Sequence, residues 1–412
     1  MLMKKCFEGK NAIIIMYKSF GIEDVITFME SLGITVSRFE HEHIFDLNND
    51  MLENDFFKFT STKSFDFVFS FNYYPAVSYC CNKLCQQGYD IRYISVVYDN
   101  PHIPLYTYTL AYPCNCVFTF DYSQYEEFYN GGIKTIYYAP LPVNVNRLNN
   151  TLGILTENTT INYNHDISFV GTLYNQSYNY YDELVKRLKE EQKDTLAEYL
   201  DKVIDVQSRT YGNYILEEYL TEAIVSEIYS VYPYEPNKHS IATKKYVYAN
   251  YFLGRKVAET ERLRILNLLS QDFNVSLYTD QASPQLPDVK NLGPADYYSQ
   301  MPKVFRESKI NLNISLKTIK TGIPLRAMDI MGCGGFLLTN YQQDFLRHFI
   351  PDEDFVYYSS DEDLHAKAEY YLVHENERKD IAYNGYRKIS ADYTYENILT
   401  QILAIGLGID DI

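Results

Sequence analysis

Short apolar runs alternate with helical stretches along the chain, and this alternation constrains the fold more than any other feature. Within the first third, helices are predicted over residues 22–32, 77–85 and 122–130. Between them the apolar runs predict strands over residues 11–17, 34–39, 65–71, 91–98, 116–120 and 134–138. Strands that alternate with helices form a parallel sheet with helices on both faces. The sequence therefore predicts an α/β fold of the doubly wound type.

The same alternation returns in the second half, after a polar linker. Strands are predicted over residues 166–170, 273–278, 289–292, 309–314, 336–339 and 355–358. Two long charged amphipathic stretches interrupt the pattern and indicate an inserted helical subdomain at about residues 177–245. We therefore expect one domain over residues 1–145 and another over residues 146–390. A final helical segment, residues 391–412, is expected to pack back on the first domain.

Charge and cysteine content exclude several classes of protein. The net charge of −17 disfavours a nucleic-acid polymer or an anionic membrane as the main partner. Seven cysteines without a framework spacing predict a reducing, cytoplasmic setting, and no apolar run is long enough to predict a membrane span. The opening MLMKKCFEGKNAIIIMY is assigned to the first strand, because its apolar run is too short for a signal peptide. The cysteines lack metal-ligand spacing. The acidic runs at residues 352–354 and 361–363 could offer a metal site, but a solvated face and the charge of a helix start explain them better, so no metal is predicted.

The stretch KTIKTGIPLRAMDIMGCGGFLLTN, residues 317–340, reads as a loop, a helix and a strand. A glycine loop that leads into a helix N-terminus can bind an anion through free N–H groups and the helix dipole. Arg326, in the first turn, adds a cation able to hold a phosphate with two hydrogen bonds. Asp329 shares a helix face with Arg326 and could accept from a ribose hydroxyl. A plain ion pair between these two side chains remains the alternative.

Ligands of doubly wound sheets bind beyond the carboxyl ends of the strands. In the first domain the loops predicted there include Gly21, Asn72 and Tyr73, which we assign to an acceptor side, and the segment DNPH, residues 99–102. In the second domain Gly171 and Thr172 follow a predicted strand. Two domains that face each other form a cleft, where small-molecule sites are common. The sequence therefore predicts a ligand site with contributions from both domains.

Three segments of the second half, PKVFRESKINLNIS, IPLRAMDIMGCGGFLLTNYQQD and RKDIAYNGYRKISADYTYENIL, resemble the CgeB-like glycosyltransferase domain known from spore-coat maturation proteins. In the first half FDFVFSFNYYP, YISVVYDNPHIPLY and FTFDYSQYEEFY are similar to the uncharacterised domain that precedes it in many clostridial proteins. The resemblance implies the GT-B architecture, with two Rossmann-like domains facing a cleft. It also implies a nucleotide-sugar donor on the second domain, such as a UDP-sugar, an acceptor on the first, and no metal or other cofactor.

The resemblance also assigns roles within the C-terminal segments. Related retaining enzymes have two acidic residues two helical turns apart before a glycine, and the second acid binds the donor ribose. Asp329, five residues before Gly334, matches that second acid, whereas the first falls near Thr321, which is not acidic. Arg326 matches a family arginine and is assigned to the diphosphate, approached from the other side by Gly171 and Thr172. The predicted donor-binding set is completed by Thr321, Gly322, Gly334 and Gly335.

Glycosyl transfer needs a stabilised leaving group, an aligned acceptor and a destination for the acceptor proton. Asp99 and His102 are the predicted catalytic groups. The alternative is that the sequence Asp-Asn-Pro at residues 99–101 only forms a turn, as these residue types often do. The hypothesis is a hexosyl-type glycosyltransferase acting on an unknown glycan or protein acceptor. The alternatives are a non-catalytic nucleotide-sugar-binding module, favoured by the missing acid at Thr321, and a nucleotide-sugar epimerase. The sequence does not indicate an oligomeric state.

Overall fold

The structure is a computed structural model that describes residues 2–17, 19–175, 179–236 and 239–409. The chain divides into two compact units. The first unit consists of Met1–Asn144, Asn237–Ala242 and Tyr393–Ile412, and the second of Val145–Pro236 and Thr243–Asp392. Each unit is built around one parallel sheet, so the predicted α/β fold with two doubly wound domains is confirmed.

The sheet of the first unit has six parallel strands in the order β2-β1-β3-β4-β5-β6. The central strand β3, with the sequence FVFSF, is buried along its whole length, as expected for a sheet covered on both faces. The strand order reverses direction between β1 and β3. The bounds are β1 Asn11–Ile15, β2 Thr35–Phe39, β3 Phe67–Phe71, β4 Arg92–Val97, β5 Asn115–Thr119 and β6 Ile136–Tyr138.

The sheet of the second unit also has six parallel strands, in the order β12-β11-β10-β7-β8-β9. Here the order reverses between β7 and β10, which lie side by side at the centre of the sheet. The bounds are β7 His165–Val170, β8 Val275–Tyr278, β9 Lys290–Asn291, β10 Ser308–Asn313, β11 Leu337–Asn340 and β12 Val356–Tyr358. All twelve strands lie within two residues of their predicted limits.

Helices cover both sheets. Two of them are preceded by π-helical turns, at Tyr248–Leu253 and Tyr395–Leu399. None of the helices in the described part of the chain is long and apolar enough to cross a membrane. The helices are α1 Leu2–Phe7, α2 Ile22–Ser31, α3 Asp50–Thr60, α4 Pro75–Gln86, α5 Tyr122–Asn130, α6 Val145–Leu152, α7 Tyr180–Glu190, α8 Asp194–Arg209, α9 Leu216–Tyr219, α10 Glu222–Val231, α11 Lys244–Val247, α12 Gly254–Ser270, α13 Met301–Arg306, α14 Leu325–Gly332, α15 Phe345–His348, α16 Asp361–Val373, α17 Glu375–Asp392 and α18 Thr400–Leu407.

The start of the chain differs from the prediction. Residues before Asn11 were assigned to the first strand, but Leu2–Phe7 forms a helix and the strand begins only at Asn11. Gly9, which has a φ of +82°, turns the chain between the two elements. Because a left-handed residue cannot continue a strand, the strand starts after Gly9 and the segment before it forms a separate helix.

Helix α18 belongs to the first unit, although the second unit separates it from the rest of that unit in sequence. It packs on β4 and β5 of the sheet. Its Gly406 lies so close to Ile94 that an added Cβ would meet the Ile94 side chain at 2.4 Å. The glycine therefore allows a contact between helix and sheet that a larger residue would prevent.

The predicted helical insertion is a group of separate helices between β7 and β8. The amphipathic stretch over residues 181–206 forms two helices, α7 and α8, divided at Glu191–Lys193, where Gln192 has a φ of +57°. Apolar residues at helical spacing, among them Leu184, Leu188 and Leu200, are buried. The charged residues remain on the outer faces, as the amphipathic pattern requires.

Candidate functional site

The second sheet reverses its strand order between β7 and β10, and the loops after these two strands meet at its carboxyl edge. These loops are residues 171–175, after β7, and residues 314–324, after β10. Such a reversal opens a crevice in doubly wound sheets, because the connections leave in opposite directions. The predicted donor residues of both loops therefore lie at one edge of one sheet.

Arg326 reaches this crevice from the first turn of α14. Its Nη1 donates to Asn313 Oδ1 at 3.3 Å, at the end of β10. Its Nη2 lies 2.9 Å from the position that a Cβ on Gly171 would occupy, just after β7. The structure therefore brings together Arg326 and Gly171, which were predicted from separate parts of the sequence. A side chain at position 171 would displace the guanidinium.

A second arginine, Arg262 of α12, fastens the two loops to each other. Its guanidinium donates to the Thr172 carbonyl on one loop and to the Ile314 carbonyl, at 2.7 Å, on the other. Both arginines lie against the ring of Phe169, at 5.3 Å for Arg262 and 5.0 Å for Arg326. Burial, reinforced by the nearby Arg262 charge, lowers the pKa of the Arg326 guanidinium to about 9. The pair therefore forms an electropositive centre that an anion would stabilise.

Sequence reasoning missed Arg262, although a signal was present. The residue precedes Ile265, Leu266 and Leu269 at helical spacing, so it lies on the buried face of α12. A cation on an apolar face must find buried acceptors, because an unpaired buried charge is costly. The carbonyls at the ends of β7 and β10 are those acceptors.

The loop after β7 is also held by Gln281. Its Oε1 accepts from Thr172 Oγ1 at 2.8 Å and from the Tyr174 backbone N–H at 3.1 Å. The Thr172 hydroxyl, predicted to bind donor, is therefore oriented by Gln281. Because hydrogen bonds to backbone N–H groups fix a loop conformation, Gln281 also positions Gly171 against Arg326.

The loop after β10 is ordered by buried amides. Asn313 Nδ2 donates to Ser315 Oγ and to Thr339 Oγ1, both at 2.9 Å, while Asn340 Oδ1 accepts from the Ser315 backbone N–H at 2.8 Å. Further along, Gln342 Nε2 donates to the Ile319 carbonyl at 2.9 Å. Satisfied buried networks of this kind rigidify a site. The loop that leads to Arg326 is thus held by β11 and the residues after it.

Thr321, where the resemblance places an acid, lies beside a carboxylate from elsewhere in the chain. Its Oγ1 donates to Asp344 Oδ2 at 3.2 Å, and the Asp344 backbone N–H donates to the Thr321 carbonyl at 3.0 Å. Asp344 is buried and lies 3.3 Å from the Arg347 guanidinium. Gly322 follows Thr321 in the buried part of the loop. The structure therefore gives Thr321 an acidic neighbour that its local sequence lacks.

Lys317, in the same loop, forms a buried ion pair with Glu261 of α12. The Lys317 Nζ lies 3.0 Å from Glu261 Oε1, and the two side chains are 6% and 0% exposed. Burial lowers the pKa of Lys317 and raises the pKa of Glu261. Lys317 also lies 3.7 Å from the ring of Tyr211. Its charge is therefore used to hold the loop on α12.

The remaining predicted donor residues lie further along α14 or past its end. Asp329 is buried within the helix. Gly334 and Gly335 follow the helix, at the opposite, amino edge of the sheet where β11 begins. An added Cβ on Gly335 would meet the Phe305 carbonyl at 2.5 Å, and one on Gly334 would meet Leu155 at 2.4 Å. The structure does not bring these two glycines together with Arg326, and close packing accounts for both.

In the first unit four predicted residues meet after β3 and β4. Asn72, which has a φ of +59°, donates from Nδ2 to Asp99 Oδ2 at 2.7 Å and accepts from the Asp99 backbone N–H at 3.2 Å. The Tyr73 backbone N–H and carbonyl lie 3.1 and 2.9 Å from Nε2 of His102. Asp99 is exposed and His102 is buried. Gly21 lies at the start of α2, on the neighbouring connection after β1.

Burial lowers the pKa of His102, against the opposing effects of the Tyr73 carbonyl and the Asp99 carboxylate. The imidazole is therefore neutral at pH 7, since even its ordinary pKa lies near 6.5. Because Nε2 contacts the backbone of Tyr73, the ring shapes the loop that carries Asn72 and Tyr73. Asp99 is the more accessible of the two predicted catalytic groups.

Among the residues that the structure describes, no three His, Cys, Asp or Glu side chains are grouped as metal ligands. The acidic run at residues 361–363 begins helix α16, where Ser360 caps the helix and Asp361 pairs with Arg264 and Arg209. The run therefore acts as a helix start with ion pairs to two neighbouring helices, α8 and α12.

Comparison with known families gives one match. Residues 261–404, about a third of the chain, match the model of a family described as glycosyl transferase-like. The matched part begins at Glu261 and Arg262 and includes both β10 and α14. No curated protein matches the chain.

Solved structures share the fold across the whole chain at low sequence identity. Anabaena HepE in complex with UDP and glucose has 9% identity and a TM-score of 0.55, covering 96% of this chain and 99% of its own. A glycosyltransferase from Rickettsia africae has 11% identity and a TM-score of 0.54, and the match covers 98% of this chain and 99% of the Rickettsia protein. Sucrose-phosphate synthase from Thermosynechococcus elongatus has 10% identity and a TM-score of 0.53, covering 96% and 98%. The chain has the GT-B fold, and this fold and the family match together support a glycosyltransferase.

Proposed function

We propose that this protein transfers a sugar from a UDP-sugar to an acceptor without a metal ion, and that it is of the CgeB-like subtype. The observation that carries this proposal is the placement of the Arg326 guanidinium between the loops after β7 and β10. The UDP held by the Anabaena protein of the same fold suggests the nucleotide. The segments quoted above for the family resemblance support the subtype.

In the proposed reaction the bond between the anomeric carbon and the diphosphate breaks, and negative charge develops on the leaving UDP. Arg326 and the N–H groups at the start of α14 would stabilise that charge. Arg262 would act through the loops, by holding Thr172 and Ile314 in place. Because the Arg326 guanidinium is already held in place beside the positively charged Arg262, it needs little reorganisation when negative charge forms on the leaving diphosphate.

The acceptor hydroxyl must lose a proton as it attacks. The proposal assigns this proton to Asp99, because its carboxylate is exposed and is oriented by Asn72. His102, whose Nε2 contacts the backbone of Tyr73, would position the loop.

We expect Asp99→Asn to lower the turnover number by about 100-fold, within the usual range for loss of a general base, and to leave UDP affinity unchanged. The asparagine keeps the shape of the side chain but cannot take a proton. Turnover would be measured as the release of UDP in the presence of a cell extract that contains the acceptor. UDP affinity would be measured by calorimetry. Asp90→Asn, at the opposite edge of the same sheet, is the control. Unchanged turnover in Asp99→Asn would remove Asp99 from the mechanism.

We expect treatment with EDTA to leave donor turnover unchanged, because guanidinium and N–H groups stand where other enzymes use a divalent cation. UDP release would be measured before and after chelation, and again after Mg²⁺ is added back. A loss on chelation that Mg²⁺ restores would contradict metal-independent transfer. UDP release that never occurs with any nucleotide sugar would instead favour a binding module.

A further inference from the structure

A cavity of about 70 Å³ lies at the amino edge of the second sheet, on the opposite side from Arg326. It opens beside the first residues of β10, and Gly334 forms part of its wall. Four cationic side chains line it, against two carboxylates, Glu157 and Asp380. The cations are Arg306, Arg378, Lys309 and Lys379. The proposed transfer reaction uses none of these groups.

Arg306 is 7% exposed, and only part of its guanidinium is satisfied. Its Nε donates to the Cys333 carbonyl at 2.7 Å, and Nη1 donates to the Leu152 and Gly153 carbonyls at 3.0 and 2.8 Å. Its Nη2 is buried without a hydrogen-bond partner. Burial lowers the pKa of this guanidinium from its ordinary value. A buried N–H donor without an acceptor lowers the stability of the fold, unless a ligand accepts its hydrogen bond.

Arg378 repeats this arrangement on another wall of the cavity. It is 1% exposed, and Nη1 donates to the Tyr371 carbonyl, while Nε is buried without a partner. Lys309 and Lys379 already pair with Asp166 at 2.6 Å and Glu375 at 2.5 Å. Neither arginine has a carboxylate within ion-pair distance in the described part of the chain. Two guanidinium groups without a directly paired carboxylate therefore line one cavity in the described part of the chain.

We propose that this cavity binds the phosphate group of a small phosphorylated metabolite, or inorganic phosphate itself, at a site separate from the donor site. Guanidinium groups match phosphate oxygens in geometry, and a dianion would balance the two unpaired arginines. The cavity is large enough for a phosphate group, which is only a few times the size of a water molecule. The site lies at Arg306, the last residue of α13, and at Gly334, two residues past the end of the helix that carries Arg326.

The test titrates inorganic phosphate into the Arg326→Ala protein by calorimetry, so that the donor site does not contribute. We expect saturable binding. We also expect an affinity at least 10-fold lower in Lys379→Glu, which places a carboxylate on the cavity wall. Lys388→Glu makes the same charge change on the same helix away from the cavity and should bind as the parent does. Arg306→Lys keeps the charge but loses the forked geometry, and should also bind at least 10-fold more weakly.

Circular dichroism of each variant separates loss of binding from loss of folding. Tighter binding of glycerol 3-phosphate than of inorganic phosphate would support a metabolite, and equal binding would support the free ion. Absence of phosphate binding to the folded Arg326→Ala protein would overturn the proposal. So would equal affinities in Lys379→Glu and Lys388→Glu. Failure of UDP to bind the wild-type protein would affect only the proposed transfer reaction.

Discussion

Replacing Arg326 with alanine is expected to weaken UDP binding by about 100-fold, or about 2.7 kcal/mol, while uridine binding changes little. The side chain lies between Asn313 and Gly171, at the crevice where the diphosphate is proposed to bind. Truncating one partner of a desolvated charge pair usually costs 2–5 kcal/mol, and in the proposed site Arg326 binds the diphosphate and not the nucleoside. Calorimetric titration of wild type and variant with UDP and with uridine measures both effects.

Two further variants make this test specific. Arg326→Lys keeps a positive charge but lacks the two parallel donors, so we expect an intermediate loss of UDP affinity. Arg387→Ala removes an exposed arginine from α17 and should leave both affinities unchanged. Equal losses for UDP and uridine in Arg326→Ala would refute the assignment of Arg326 to the diphosphate, and would indicate a general disturbance of the loop.

Lys317→Met is expected to lower the free energy of unfolding by about 3 kcal/mol, because it leaves the fully buried Glu261 carboxylate without its ion-pair partner. Arg262 and Arg264 also lower the pKa of Glu261, so they would offset part of the loss. The effect should appear in urea unfolding followed by circular dichroism, in the transition of the second unit. UDP affinity should fall with it, because this ion pair holds the loop that leads to Arg326.

Lys320→Met is the matched control, since it removes a lysine three residues away in the same loop. Its ion pair with Glu217, at 3.6 Å, is one-third exposed on both sides, so the expected loss is below about 1 kcal/mol. In the double variant Lys317→Met/Glu261→Leu both buried charges are removed, and most of the lost stability should return. A Lys317→Met protein as stable as Lys320→Met would show that the buried pair does not stabilise the loop.

Strands were predictable here because each is a short apolar run bounded by turn residues, as FDFVFSF before Asn72 illustrates. The helix Asp50–Thr60 was missed, although Leu52 and Phe56 lie one turn apart on its buried face. Charged residues between them obscured the period. At the start of the chain, Gly9, which has a positive φ, separates a short helix from the strand to which both were assigned. The local spacing of apolar residues therefore predicted most strands and helices. The backbone conformation of single residues set some of the positions where these elements begin or end.

The candidate site was predictable only where its residues are close in sequence to a recognisable turn. Arg326 and Gly171 were expected near a diphosphate, and the structure places them side by side. Arg262 and Gln281 come from elements that carry no motif, and only the folded chain brings them to the loops. The carboxylate beside Thr321 likewise comes from a residue 23 positions later. Contacts between distant segments were the part that periodicity and spacing could not supply.

The position of helix α18 has a consequence for how the protein is made. The surface that β4 and β5 present to this helix, closed by the tight contact of Gly406 with Ile94, stays uncovered until residues 400–407 have left the ribosome. In a nascent chain that ends before residue 400, the first unit lacks helix α18, although the second sheet is already being synthesised. We therefore expect the first unit to finish folding after the second unit, although most of the first unit is translated earlier.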